Sequence, residues 1–378
     1  MTAPKILHIR SSFFYGGPER QIMYLTNALS RQGIVSGVAT FAPRSDPARN
    51  TYVAKLESLG ILAHRIDIDG SFDRTAVGRL EAVVVDGGYD VLVGHDYRAD
   101  YFALTIGRRL GLPTFSFSRG WTRTTLRVKL YEWLDIRFLR KMDGVIAVSL
   151  KKYAELARRG ISPDRLIYIP NSIPINDDAA EKGQIRRRFE IPGDAFLIGT
   201  AGRLSVEKNQ EMLIAAAVRL LEQAQYSHLR FIIAGEGNRR EALARLIPEK
   251  YQRKIILAGW IDDNDSFYAD LDLFVLTSMT EGFPNVLLEA GRHRLPSIST
   301  PAGGAVEIIV DDATGFLIPF GDVDRLCQKI RQVADDGACR RRLAEGLGKI
   351  TREKFDAAVN AAEFLAFVNR VRERHAKA

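Results

Sequence analysis

Short apolar, β-branched runs alternate along this chain with longer stretches whose apolar residues return every three or four positions. The first kind predicts strands, the second helices with one buried face. In the first half the runs fall near Ile6–Arg10, Ile34–Thr40, Ile61–Ile66, Val91–Gly94, Thr114–Ser118, Gly144–Val148 and Leu166–Ile169. Pro18–Ser30 is typical of what lies between them, with Ile22, Leu25 and Leu29 on one helical face. The segment from Pro170 to Asp178, with two prolines among polar residues, reads as a linker. A second alternation follows, with strands near Phe196–Thr200, Leu229–Ala234, Ile255–Ala258, Leu273–Thr277, Ser297–Ser299 and Gly315–Ile318. Residues from Ala357 to Ala378 read as a closing helix. The pattern predicts an α/β protein with two parallel sheets, each wrapped by helices.

Composition narrows the picture. A chain of 378 residues with 46% hydrophobic and 26% charged residues has material for two cores of ordinary size. No apolar run reaches the ~18 residues of a spanning helix, and the first residues show no secretory pattern, so a cytoplasmic location is expected. Cys327 and Cys339 carry no metal-ligand spacing and are expected to be free thiols. The net charge of +8 is uneven. Residues 1–175 hold 25 Lys and Arg against 16 Asp and Glu, whereas residues 176–378 hold 29 against 30. Nucleic acid, an anionic membrane or an anionic substrate would each account for a basic first half. No stacking motif or nucleic-acid module accompanies the charge, and nucleic acid is not expected as a partner.

The densest candidate chemistry runs from Glu281 to Glu289. An apolar strand precedes it, a turn spans Thr280 to Pro284, and Pro284 suits the first helical position. The amides of Asn285, Val286 and Leu287 would then open a helix and could face an anion. Glu289 shares a helix face with Asn285, while Glu281 sits in the loop at the carboxyl end of the strand, where open α/β sheets bind ligands. On charge alone the two acids would equally suit a solvated helix and an ordinary loop. Arg203 and Lys208 follow the strand ending near Ala201, a place where fixed cations can hold a diphosphate. Gly16–Gly17 follows the first strand and opens a helix; it would serve a phosphate or a plain tight turn, and it lacks the dinucleotide fingerprint. Asp270–Leu–Asp272 reads as structural, and no metal or cofactor is expected. His95 also lies at a strand end, as a candidate facing a ligand cleft or as a hydrogen-bonded loop residue.

These segments, in this order, resemble the retaining glycosyltransferases of family 4. The resemblance rests on Gly16-Gly17-Pro18-Glu19-Arg20, Gly202-Arg203 with Lys208-Asn209, Ala234-Gly235-Glu236-Gly237, Ala258-Gly259-Trp260, Glu281 through Glu289, Gly303-Gly304 with Glu307, and Thr314-Gly315-Phe316-Leu317. It implies the GT-B fold, two Rossmann-like domains with parallel sheets facing across a cleft. Residues 1–172 would bind the acceptor, 173–355 the nucleotide sugar, and the helix in 356–378 would cross back to the first domain. The reaction implied is metal-independent transfer of a sugar from a nucleotide-sugar donor to a hydroxyl acceptor, with lipid-linked acceptors and polysaccharide or glycolipid assembly among the family's roles. Glu281 would touch the donor sugar, with Gly282 and Phe283 beside it. Glu289 would take the ribose hydroxyls, the amides of Asn285, Val286 and Leu287 with Arg203 and Lys208 the diphosphate, and Ile261 the base. Gly16 and Gly17 would lie over the diphosphate or beside the acceptor.

One position departs from the family. Where many relatives carry a histidine before a glycine and a tryptophan, this chain has Arg119-Gly120-Trp121. An arginine cannot act as a general base, but it can bind a leaving phosphate or an anionic acceptor. Two alternatives stay open on the same fold: a nucleotide-sugar-binding protein without turnover, which this departure favours, and a nucleotide-sugar epimerase, which it weakens because an epimerase needs acid/base groups over the sugar ring. The stretch from Arg119 to Lys141 also carries Arg123, Arg127, Lys129, Arg137 and Arg140, interleaved with Leu126, Leu130, Trp133, Leu134 and Phe138. Such a helix would either pack on its own sheet or lie against an anionic membrane.

Overall fold

The structure, a computed structural model, describes residues 2–12, 15–45, 50–69, 73, 75–119, 126–175 and 181–377. Gly120, Trp121, Arg123 and the stretch 176–178 of the linker lie outside the described residues, as do the side chains of residues 126–131. The chain divides into two compact units. One comprises Met1–Pro174 together with Asp356–Ala378, the other Ile175–Phe355.

The first unit is built on β1 (Ile6–Arg10), β2 (Ser36–Pro43), β3 (Leu62–Ile68), β4 (Val91–Gly94), β5 (Thr114–Ser118), β6 (Gly144–Ala147) and β7 (Leu166–Tyr168), in the order β3-β2-β1-β4-β5-β6-β7. All neighbours are parallel. The second is built on β8 (Phe196–Ala201), β9 (Leu229–Ala234), β10 (Ile255–Gly259), β11 (Leu273–Leu276), β12 (Ser297–Ser299) and β13 (Phe316–Leu317), in the order β10-β9-β8-β11-β12-β13, again parallel. Each order reverses once, between β1 and β4 and between β8 and β11. At such a switch the two loops leaving the carboxyl ends diverge and open a crevice.

Three boundaries differ from the sequence reading for visible reasons. β2 starts at Ser36, because the Ile34 amide is drawn back to the Leu29 carbonyl at 3.0 Å and closes the preceding helix instead. The strand then runs on to Pro43, where β3 pairs with it through Ile68. Pro284 is also not the first helical residue. It holds an extended conformation (φ −79°, ψ 102°) as the N-cap, and the helix spans Asn285–Arg292.

Leu7 and Ile9 of β1 enter one apolar layer with Phe41, Leu92, Phe102 and Val145. By the period of two, His8 and Arg10 face the opposite side. That side is covered by the helix Ala357–His375, whose Phe364, Phe367, Val368 and Val371 are buried. Asp356 caps this helix by accepting from Ala358 N. Asn360 donates to Pro170 O at 2.7 Å and Arg372 pairs with Asp90 at 2.7 Å, so the helix is an integral layer of the first unit. The second unit packs Leu213, Leu220, Phe231, Val275 and Phe316 around its own sheet. No helix among the described residues is long and apolar enough to cross a membrane.

Candidate functional site

The switch point of the second unit brings together residues far apart in sequence. Lys208 leaves the loop after β8, and Glu281 the loop after β11. Lys208 Nζ lies 2.5 Å from Glu281 Oε1, with both side chains largely buried. Ser278 Oγ donates to the same carboxylate oxygen at 2.6 Å, and Thr277 Oγ1 donates to the Lys208 carbonyl at 3.1 Å. The Met279 amide donates to Glu207 O at 2.8 Å, so the two loops are laced along their backbones as well. Gly303 holds the floor. Its φ of +54° suits glycine, and a Cβ there would overlap the Glu281 carbonyl. Gly235 does the same for the β8 loop, because a Cβ at its φ of +132° would overlap Gly202 O.

Arg203 is more exposed and pairs with Glu207 at 3.1 Å. Its carbonyl accepts from Gln210 at 3.0 Å. The helix Asn285–Arg292 starts beside Gly282 and Phe283, and Gly304 N donates to Gly282 O at 2.9 Å. The Leu287 amide is not left for an anion as expected, because it donates to Pro284 O at 3.1 Å and its side chain faces the core; Asn285 and Val286 are half-buried, and Glu289 is buried on the same helix. Ile261, at the far edge of the sheet, lines a shallow cavity of about 460 Å³ with Gln184, Ile185, Arg188, Asp262 and Ser266. That cavity contains neither Lys208 nor Glu281. Asp270 accepts from the amides of Gly183, Ile185 and Arg186, and Asp272 from Leu197 N at 2.7 Å and Arg186 Nη2 at 2.8 Å. Their carboxylates therefore tie backbone together.

The switch point of the first unit holds a polar cluster inside an apolar shell. Arg10 pairs with Glu19 at 2.8 Å and with Asp96 at 3.3 Å, and donates to His95 O at 2.8 Å. Asp96 also accepts from Ser11 N at 2.8 Å and caps the helix Tyr97–Leu110 through the amides of Arg98 and Ala99. Glu19 ties this cluster to Gly16–Gly17, where the helix Gly17–Arg31 begins without a side-chain cap. Gln21, one turn on, exchanges two hydrogen bonds with the Ser172 backbone, at 2.7 and 2.8 Å. Next to Ser172, Asn171 Oδ1 accepts from Arg119 Nη1 at 3.0 Å.

Arg119 reaches a buried histidine pair. Its Nη2 lies 3.2 Å from His95 Nδ1, and His95 Nε2 lies 3.0 Å from His8 Nδ1. A guanidinium only donates, so His95 Nδ1 accepts. Burial, then His8, Arg119 and Arg10, hold the His95 pKa well below its ordinary value. Burial and then Arg119 lower that of His8 to about 3. Both rings are therefore neutral near pH 7, and the proton pattern follows. His95 carries its hydrogen on Nε2 and donates to His8 Nδ1, which leaves the His8 hydrogen on Nε2. That buried atom has no hydrogen-bond partner among the described residues, and the ring centroid of Phe364 lies 6.2 Å from that of His8. Phe117 stacks on His95 at 5.1 Å and lies under the Arg119 guanidinium at 5.3 Å. Burial, with Arg10 next, pushes the Arg119 pKa down to about 10, so it remains cationic at neutral pH.

The structure thus joins Lys208 to Glu281 and sets His95 behind Arg119 with both ring nitrogens engaged. Sequence reasoning missed His8, Arg10, Asp96 and Asn171. The signal for His8 was present, a polar residue interrupting the apolar strand Ile-Leu-His-Ile. The other three carried none, because each is an ordinary polar residue at a strand or turn end.

Two family models match the chain, glycosyl transferases group 1 over residues 181–350 and the glycosyl transferase 4-like domain over residues 16–172. Among curated proteins, the chain is similar to the O-antigen chain mannosyltransferase C of Escherichia coli, at 24% identity over 93% of this chain and 95% of that one. It is also similar to the UDP-Gal:alpha-D-GlcNAc-diphosphoundecaprenol alpha-1,3-galactosyltransferase of Escherichia coli, at 24% identity over 70% and 73%. Among solved structures, Anabaena Alr3699/HepE in complex with UDP superposes with a TM-score of 0.80 at 19% identity, covering 97% of this chain and 99% of that one.

Proposed function

Because the chain belongs to the group 1 glycosyltransferases and has the GT-B fold, we propose that it is a retaining, metal-independent enzyme that moves a sugar from a nucleotide donor to a hydroxyl acceptor. The observation that carries this reading is the Lys208–Glu281 pair at the switch point of the second unit. An ammonium held against a carboxylate beside a helix N-terminus can exchange that carboxylate for a diphosphate. Lys208, with Arg203 and the amides of Asn285 and Val286 at the start of the helix Asn285–Arg292, then stabilises the negative charge that builds on the leaving diphosphate. Glu281 is released to the donor sugar hydroxyls. Glu289, buried one turn into the helix, accepts from the ribose, and Ile261 borders the base. The C1–O bond to the diphosphate breaks, the acceptor oxygen bonds to C1 on the same face, and the departing phosphate oxygen takes the acceptor proton.

Metal independence is supported by the fixed cations at the site and by Asp270 and Asp272, whose carboxylates are engaged by backbone amides. Assembly of a surface polysaccharide or glycolipid is supported by the similar mannosyltransferase and galactosyltransferase. A cytoplasmic enzyme in peripheral contact with an anionic membrane fits Trp133. This residue is 53% exposed on the helix Leu126–Leu139, with the Arg137 guanidinium 4.9 Å from its ring.

The test is a thermal-shift screen with UDP, GDP and ADP and their sugar conjugates, with and without EDTA. UDP comes first, given the nucleotide in the similar Anabaena structure. A rise that survives EDTA and disappears in Lys208→Ala is expected. Turnover by Lys208→Ala should fall by on the order of 100-fold or more. Unchanged turnover would reject the role given to Lys208.

A further inference from the structure

We propose that Arg119 is an oxyanion-binding residue of the first unit and takes a phosphate or carboxylate group carried by the acceptor substrate. The inference rests on the transferase reading and deepens it by naming the acceptor's chemistry. Its basis is what surrounds the guanidinium. Arg119 makes two hydrogen bonds, to Asn171 Oδ1 and His95 Nδ1, both neutral acceptors. Among the described residues, three of its five N–H groups make none, and Nε is buried without a partner. The neighbouring carboxylates are committed elsewhere. Glu19 is paired to Arg10, while Asp96 is shared by Arg10, Ser11 N and the start of the helix Tyr97–Leu110. A partly buried guanidinium without a carboxylate of its own is costly, and an incoming oxyanion repays that cost with two charge-assisted bonds.

The remaining neighbours fix the guanidinium in place. The aromatic face of Phe117 supports it, and the neutral His95–His8 pair sets one edge of the fork. Had either histidine been charged, it would repel the guanidinium. Held in this way, Arg119 is a preorganised fork at the carboxyl ends of the strands, where ligands enter such sheets. The donor diphosphate already has Lys208, Arg203 and a helix terminus in the second unit. The oxyanion left for Arg119 is therefore one that the donor does not carry. A histidine at this position could not supply the same fork, so the departure from the family sets the acceptor's charge.

Calorimetric titration of the full chain tests this in a Lys208→Ala background, where the second unit's cation is absent. Inorganic pyrophosphate is the probe for a phosphate-bearing acceptor and glucuronate for a carboxylate-bearing one. At least one is expected to bind, and adding Arg119→Gln should weaken it by about 10- to 100-fold, the range of a lost charged hydrogen-bond pair. The probe that responds names the acceptor group. Failure of both probes to bind, or binding indifferent to Arg119→Gln, overturns the proposal. On the chain with Lys208 intact, Arg119→Gln should leave nucleoside-diphosphate affinity unchanged. An equal loss there would assign Arg119 to the donor and also overturn it. Should the glutamine variant not fold, Arg119→Lys replaces it. Reduced probe affinity is then expected, and unchanged affinity refutes the fork. A wild-type chain that binds no nucleoside diphosphate would defeat the transferase reading, while the two-probe arm would still report on Arg119.

Discussion

Lowering the pH from 7 to 5 should weaken the first unit through His8, by an amount the structure sets. The ring is fully buried, and its pKa falls from the ordinary 6.5 to about 3. Between those values the unfolded chain binds a proton that the folded chain refuses, so stability falls as pH drops below about 6.5 and continues to fall toward pH 3. At pH 5 roughly 1.5 pH units of that window have been crossed, at about 1.4 kcal/mol each, which costs about 2 kcal/mol. His95 acts in the same direction. Asp100 opposes both, since burial and then Asp135 raise its pKa and favour the folded, protonated form in this range. The assay must therefore isolate His8. His8→Gln removes the titration and keeps an acceptor for His95 Nε2. Trp260 is exposed and lies in the second unit, so unfolding followed by tryptophan fluorescence in a Trp260→Phe background reports Trp121 and Trp133 of the first. Urea unfolding at pH 7 and pH 5 should show wild type losing about 2 kcal/mol more than His8→Gln. Equal losses in the two chains would refute a neutral buried His8, and with it the proton pattern that orients Arg119.

Gly303→Ala should cut turnover as well as stability, because its Cβ would press on the Glu281 backbone and its positive φ strains any residue with a side chain. Steady-state kinetics beside a thermal midpoint checks this, and a loss of stability with full activity per folded molecule would count against Glu281 as a sugar contact. Trp133→Ala should lower co-sedimentation with vesicles containing anionic lipid at low salt, and raised salt should release wild type. Absence of wild-type binding at low salt removes the membrane proposal.

Much of the fold was legible because each strand carries its own signal. Runs such as Leu-Phe-Val-Leu at β11 and Phe-Ile-Ile-Ala in β9 are short, apolar and bounded by polar turns, and burial on both faces of a parallel sheet demands that composition. Ends were less legible because particular hydrogen-bond partners set them, locally where the Leu29 carbonyl takes the Ile34 amide and across the sheet where Ile68 pairs with Pro43. In the site, single residues were legible and their partnerships were not. Lys208 and Glu281 each stood out at a strand end, but their separation of 73 in sequence hides a contact that exists only once β8 and β11 lie side by side. The Arg119–His95–His8 chain is harder still, since its members come from β1 and from the loops just after β4 and β5, and gain their meaning from burial and proton placement.

The layer that the helix Ala357–His375 lays over His8 has a consequence for the order in which the protein is made. The first unit needs residues from both ends of the described chain, and the second is a continuous insert between them. During synthesis the second unit can fold as soon as it has emerged. The sheet of the first unit, translated earlier, must wait with the His8 side of β1 bare until Phe364 and Phe367 arrive. Nascent chains halted before that helix would expose the apolar face it covers and would recruit chaperones or proteases. The oxyanion fork would thus take shape only when this helix docks over the histidine pair.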